Sequence, residues 1–535
     1  MYCGIVLAAI AVYGGYLDGP LFFDDFGTVD VDSPVYSSVA NALSLRWLPY
    51  ASMQWTRAAF AEPLVWLRAG NLLLHAATGC VLFTFLRRLF AAVCAPLPHS
   101  GPSGPLALHW IAFGGTLLFV LHPAATYGVA YLVQRAGLMA TLFALLTWWS
   151  FVEGMLRNSR PWMIGSALAY LLSVLAKEHA LLVPLGSLAL LVLLRDPKKK
   201  ASRLVWLPAA LYVLIAGLIL YQFKVGHIIG VGGIAGQAYE PNAKVMLADL
   251  GIAAADRYFL SVLTQSTLFF KYLLLWLLPN PSWMSVAMEA DFARSYFAWP
   301  YALGPFLFVA YAAFALRLLF RRGRAGLLGF ALIMPAALFL IELSTVRIQE
   351  IFVLYRSYLW MPCIGCALPY LLERVEARRA LAAMTAVVLL LSGFSLNRMN
   401  VFAETLRLWD EALQLAGDTR NRRSLGRIYH NRGLAYLNRA RYDEALADFN
   451  NAIRLAPGLS NIYNDRAVVF LETKRYREAL ADYDFAIMLA PTNALHYLGR
   501  ARTNEALGRN EDARRDLMYS CRFGNMQACA EMSAR

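Results

Sequence analysis

Over roughly the first three quarters of the chain, apolar residues fill whole windows rather than one face of a period, and short polar segments separate the windows. Windows of membrane-spanning length fall at residues 2–17, 64–86, 106–122, 136–155, 162–177, 179–195, 204–222, 300–317, 325–342, 352–372 and 380–396, which predicts about 11 helical spans. A further apolar stretch, Tyr258–Leu278, contains Lys271 and is expected to lie in the interface or dip into it. Cations gather in alternate loops: Arg87 and Arg88; Arg157 and Arg160; Arg195, Lys198, Lys199, Lys200 and Arg203; Arg321, Arg322 and Arg324; Arg374, Arg378 and Arg379. Assigned to the cytoplasm, these loops put the N-terminus inside, and residues 223–299 and everything after 396 outside. Tyr2–Tyr16 lacks a basic flank and a small-residue cleavage site, so it is expected to be retained as the first span.

Composition agrees with that pattern. With 59% hydrophobic and 16% charged residues over 535 positions, and a mean hydropathy of +0.48, the chain does not read as a string of soluble domains. The net charge of +14 sits largely in loops that set orientation, so a lipid bilayer is the expected partner and nucleic acid is not.

From Asn397 onward the pattern becomes polar and helix-forming. Gly433, Tyr436, Ala445, Phe449, Ala452 and Pro457 recur 34 residues later as Ala467, Phe470, Ala479, Tyr483, Ala486 and Pro491, which is the tetratricopeptide period. The predicted fold is therefore all-α: a polytopic helical membrane domain over 1–396, a connecting half-repeat over 397–425, repeats over 426–459 and 460–493, and a degenerate cap over 494–535. Cys521 and Cys529 lie eight apart, a spacing similar to that of Sel1-like repeats; a disulfide and two free thiols are both open there. Cys363 and Cys366 form a CxxC inside an apolar window, where packing is the expected role.

Charges near apolar spans are costly and so mark functional candidates. On the outer face the topology collects Asp24 and Asp25, His122, Arg135, Lys177, Glu178 and His179, then Glu342, Arg347, Glu350 and Arg356. A carboxylate there can accept the proton of an attacking hydroxyl, while Lys and Arg stabilise a phosphate leaving group. The plain alternatives are that the acidic pair caps a loop helix, that Arg135 and Arg356 snorkel, and that Lys177 and Glu178 pair with each other.

The acidic pair after the first window, then NLLLHAATGCVLF, FVLHPAATYGVAYLVQRAGLMATLF, SVLAKEHALLVP, YRSYLWMP and the repeats, in that order, resemble the transmembrane and tetratricopeptide repeat (TMTC-type) O-mannosyltransferases and their bacterial relatives, which are GT-C glycosyltransferases. The resemblance implies a GT-C membrane enzyme. It would move a sugar from a polyprenyl-phosphate donor to a hydroxyl acceptor, commonly on a protein, outside the membrane and with inversion. Carried onto this chain, Asp24 or Asp25 is the catalytic base, Asp24 matching the first acid of the pair. Arg135, Lys177 and Arg356 hold the donor phosphate, and His122, Glu178, His179 and Tyr355 line the site. Where relatives carry an acid two positions after the arginine, this chain has Gly137, and the order around Tyr355 and Arg356 also differs. No cofactor is required by this scheme, although Asp24 and Asp25 leave room for a divalent metal ion. The expected location is a bacterial inner membrane with periplasmic repeats, or an endoplasmic-reticulum membrane with lumenal repeats in a eukaryote. The repeats are expected to recruit the acceptor protein. A non-catalytic scaffold, and an oligosaccharyl or glycolipid transferase, are the rival readings.

Overall fold

The computed structural model describes residues 1–22, 25, 45–94, 107–195, 203–229, 252–253, 255–288, 290–347, 351–417 and 422–533; Asp24 and Glu350 fall outside these. The chain divides into two units, Met1–Met284 with Ala290–Ala403, and Ser285–Glu289 with Glu404–Arg535. Every regular element among the described residues is helical.

The first unit contains α1 (Tyr2–Tyr13), α2 (Trp47–Ala59), α3 (Pro63–Val93), α4 (Leu108–Val120), α5 (Pro123–Val129), α6 (Arg135–Arg157), α7 (Arg160–Ala176), α8 (Pro184–Leu194), α9 (Trp206–Ile229), α10 (Arg257–Leu277), α11 (Gly304–Arg321), α12 (Gly323–Leu343), α13 (Leu368–Leu371) and α14 (Ala377–Phe402). Among the described residues seven helices (α3, α6, α9, α10, α11, α12 and α14) are long and apolar enough to cross a bilayer, and the bent pair α4–α5 makes an eighth. Proline at the first helical position opens α3, α5 and α8, where its missing N–H deprives the helix of nothing. Between α4 and α5 the axis turns by 61° at His122–Pro123.

Burial separates central helices from peripheral ones. The most apolar window of α6 is 72% buried, whereas those of α9 and α14 are 22% buried and leave Val213, Leu214 and Leu389 bare. Such surfaces, apolar over a window of spanning length, are stable in hydrocarbon and not in water. At the centre Trp148 is fully buried beside Phe85 and Phe330, and its indole N–H donates to the Val183 carbonyl at 2.9 Å. Gly329 of α12 brings the backbone of α11 so close that a Cβ would lie 2.2 Å from the Leu319 nitrogen. Small residues at such crossings let membrane helices approach.

One expectation changes. The window 352–372 is not one α-helix: it forms 3-10 turns over Leu354–Leu359 and Met361–Ala367, then the short α13, because Pro362, Gly365 and Pro369 break the α ladder. Residues 258–277 of the stretch Tyr258–Leu278 belong to the unbroken 21-residue α10, whose length and composition suffice to span.

The second unit holds α15 (Thr405–Ala416), the pairs α16 (Arg422–Leu437) with α17 (Tyr442–Leu455), α18 (Ser460–Glu472) with α19 (Tyr476–Leu489) and α20 (Ala494–Ala506) with α21 (Asn510–Arg522), and α22 (Met526–Ser533). Ala445, Phe449, Ala467, Ala479, Tyr483, Ala501 and Ala513 are all buried, so the periodic small and aromatic positions fill the layer between paired helices. The turn inside each pair passes through a left-handed residue, Ala440, Lys474 or Gly508, at the same phase of the repeat. Cys521 and Cys529 are joined as a disulfide that ties α22 to α21.

Candidate functional site

Three sequence-distant segments meet in one charged cluster of the membrane unit. Arg46 adopts a left-handed conformation, its N–H donating to the Leu175 carbonyl, and its guanidinium forks onto Glu178, with Nε 2.9 Å from Oε2 and Nη2 on Oε1. His179 lies between two carboxylates, Nδ1 3.3 Å from Glu178 Oε1 and Nε2 3.0 Å from Glu342 Oε1. Glu342, buried at the end of α12, also faces Arg347 Nε at 3.1 Å and Arg356 Nη1 at 3.5 Å. The adjacent Lys177 does not pair with Glu178. Its Nζ donates to Gln134 Oε1 at 3.1 Å and lies 5.4 Å over the Tyr355 ring, itself beside Tyr131. Burial, with the charge of Arg46 next, pulls the Lys177 ammonium down to about 8. Opposite it is Gly137, where a methyl group would sit 3.6 Å from Nζ. Among the described residues, Arg46, Lys177, Arg347 and Arg356 thus stand against Glu178 and Glu342, an excess of positive charge suited to an anion.

The sequence candidates Lys177, Glu178, His179, Tyr355 and Arg356 come together here. Asp25, His122 and Arg135 have other partners. Asp25 is fully buried and accepts backbone N–H bonds from Phe22 at 3.3 Å, Leu132 at 3.4 Å and Val133 at 3.0 Å. Burial nonetheless pushes its carboxyl up to about 7, against the lowering effect of those bonds and of the Arg68 charge. Arg68 donates to the carbonyls of Gly19 and Pro20 and so fixes the chain leading to Asp25. Arg135 is also buried: Nε donates to Asn71 Oδ1 at 2.9 Å, Nη1 to Ser52 Oγ at 3.2 Å and Nη2 to the Leu67 carbonyl. His122 caps α5, Nδ1 accepting from the Ala124 N–H at 3.1 Å and Nε2 donating to the Trp276 carbonyl at 3.0 Å, with its ring stacked on Trp276.

One turn connects these networks. Leu132 and Val133 face Asp25, Gln134 faces Lys177, and Arg135 ties into α2 and α3. Sequence reasoning did not single out Arg46, Arg68 or Gln134. Arg46 is 132 positions from Glu178, and nothing local to either residue announces the pairing. Among the described residues no three His, Cys, Asp or Glu side chains gather as a metal site. Cys363 and Cys366 are buried free thiols.

In the repeat unit a ladder recurs that sequence reasoning also passed over. Arg432, Arg466 and Arg500 each fork onto a carboxylate sixteen positions on, Asp448, Asp482 and Asp516, with all contacts at 2.6–3.0 Å. Each guanidinium also covers an aromatic ring, of Tyr429, Tyr463 and Tyr497 respectively. The 34-residue recurrence of Arg and Asp was the available signal.

Residues 426–459 match the tetratricopeptide repeat family. A solved structure of the tetratricopeptide repeat domain of Arabidopsis OM64 is 23% identical, covering 21% of this chain and 95% of its own, with a TM-score of 0.20. No curated protein matches the chain.

Proposed function

We propose that this protein holds a polypeptide partner at a membrane through its tetratricopeptide array. The observation that carries the reading is the presence in one chain of helices with bare apolar windows of spanning length and an array of paired, stacked helices with the 34-residue period. The Cys521–Cys529 disulfide supports an array on an oxidising side, such as a periplasm or lumen.

The finer reading, taken from the resemblance to TMTC-type transferases, is that the membrane unit moves a sugar from a polyprenyl-phosphate donor to a hydroxyl of that partner. The cation excess around Lys177, Arg347 and Arg356 supports it, since a departing phosphate needs that charge. In this scheme Asp24 takes the hydroxyl proton as the acceptor oxygen bonds to the anomeric carbon. The carbon–oxygen bond to phosphate breaks with its electron pair, and the configuration inverts. Asp25, held by three backbone N–H groups, sets the turn that carries Gln134 and Arg135. The same three bonds favour the second reading, a scaffold without transfer, in which the acidic pair serves only the loop.

Envelope proteins recovered with the full chain, with Asp24→Asn and with Lys177→Gln separate the two. A sugar-sized mass on a co-purifying protein that disappears in both variants supports transfer. Identical masses in all three leave the scaffold, and absence of any co-purifying protein sinks recruitment itself.

A further inference from the structure

A second basic feature lies away from the charged cluster, at the opposite end of α6. The chain leaves α6 through Asn158, whose φ of 47° turns it into α7. There a cavity of about 530 Å³ opens, lined by Asn158, Arg160, Arg203, Leu204 and Leu207. Among the described residues neither Arg160 nor Arg203 has an acidic partner. The buried acid near the end of α6, Glu153, is already shared by Arg88 at 2.7 Å and Arg157 at 2.7 Å. Among the described residues the cavity therefore carries two guanidinium charges and no carboxylate in its lining, beside Asn158, Leu204 and Leu207.

Its depth is marked by aromatic rings. Trp162 of α7 packs against Trp149 and lies under the Arg157 guanidinium at 5.6 Å, and Trp206 at the start of α9 is 73% exposed. Tryptophans take this position where hydrocarbon meets headgroups. Arg157, Arg160 and Arg203 also belong to the loops whose positive charge assigns them to the cytoplasmic side.

We propose that this cavity is a binding site for the headgroup of an anionic phospholipid. The two guanidinium groups hold the phosphate, which they match as bidentate donors. Leu204 and Leu207 take the first methylenes of the lipid. A soluble phosphate compound would engage the arginines and leave the leucines wet. The paired basic and apolar lining is what favours a lipid, and anionic headgroups are the ones that basic sites between membrane helices select.

The test uses the full-length protein released from nanodiscs of phosphatidylcholine with or without phosphatidylglycerol, and counts bound lipid by native mass spectrometry. Wild type should retain phosphatidylglycerol over phosphatidylcholine. Arg160→Gln with Arg203→Gln should lower that retention about tenfold, the loss expected for about 1.4 kcal/mol of charge-assisted bonding. Arg378→Gln with Arg379→Gln, which removes the same charge from another loop, should leave it unchanged. Leu207→Trp, which fills the cavity without altering charge, should also expel the lipid, and it keeps the test decisive if the arginine pair impairs folding. Equal retention by the cavity variants and wild type would overturn the proposal. So would an equal loss in the Arg378 and Arg379 control, or displacement of the lipid by millimolar inorganic phosphate or glycerol 3-phosphate, which would make the ligand a free anion.

Discussion

Lys177 keeps an ammonium in half-buried surroundings whose one hydrogen-bond acceptor among the described residues is a neutral amide, Gln134. Its folded-state value of about 8 lies below the ordinary 10.5, so the folded chain binds fewer protons than the unfolded chain between these limits. The group therefore opposes folding most below about pH 8, and the opposition fades as pH rises toward 10.5. Lys177→Met should accordingly raise stability at pH 7 by on the order of 1 kcal/mol after discounting for solvent screening. The gain, followed as a thermal midpoint in detergent, should shrink by pH 10; a gain that grows with pH would refute the assignment. Asp25 has the other sign. Its folded value of about 7 exceeds the ordinary 3.8, so the stability it contributes is complete below about pH 3.8 and is lost as pH rises through about 7. Relative to Asp25→Asn, wild type should lose ground in melting experiments between pH 4 and pH 8, and a pH-independent difference would contradict a buried carboxyl.

Helix by helix, close approach and backbone conformation decide more than propensity does. Gly329→Ala forces a methyl group into the Leu319 backbone, and overpacking of this kind costs about 1–3 kcal/mol. A lowered midpoint of the membrane unit is expected, whereas Gly393→Ala, which meets nothing within 4 Å and removes a glycine from a helix interior, should not lower it. In the array, Ala440 and Lys474 sit at φ 54° and 62°, a conformation that L side chains resist, while the equivalent position already holds Gly508. Ala440→Gly should stabilise the array by about 0.5–1 kcal/mol, because relief of that strain exceeds the added flexibility of the unfolded chain. Chemical denaturation of the full chain checks it through a higher midpoint for the array transition.

Across the whole molecule, the features legible in the sequence were those with a period or a run. Most of the apolar windows coincide with helices, though among the described residues only seven, or eight with the bent pair, are of spanning length, and the 34-residue recurrence anticipates the alternation of helix pairs, since both depend on neighbours along the chain. What stayed hidden depends on tertiary placement. Pro362 and Gly365 turned an expected span into 3-10 turns, Arg46 found Glu178 across 132 positions, and Asp25 spent its oxygens on backbone donors more than 100 positions away. The turn Leu132–Arg135 then acquires a consequence. Held at one end by Asp25, in its middle by Lys177 and at its far end by α2 and α3, it is a rigid joint in which slack at one anchor is felt at the next. Among the described residues Asp25 and Lys177 share no hydrogen bond or ion pair, yet their substitutions should not add. A double-mutant cycle of Asp25→Asn with Lys177→Gln should return an interaction energy of about 0.5–1 kcal/mol, and strict additivity would mean that the joint yields freely.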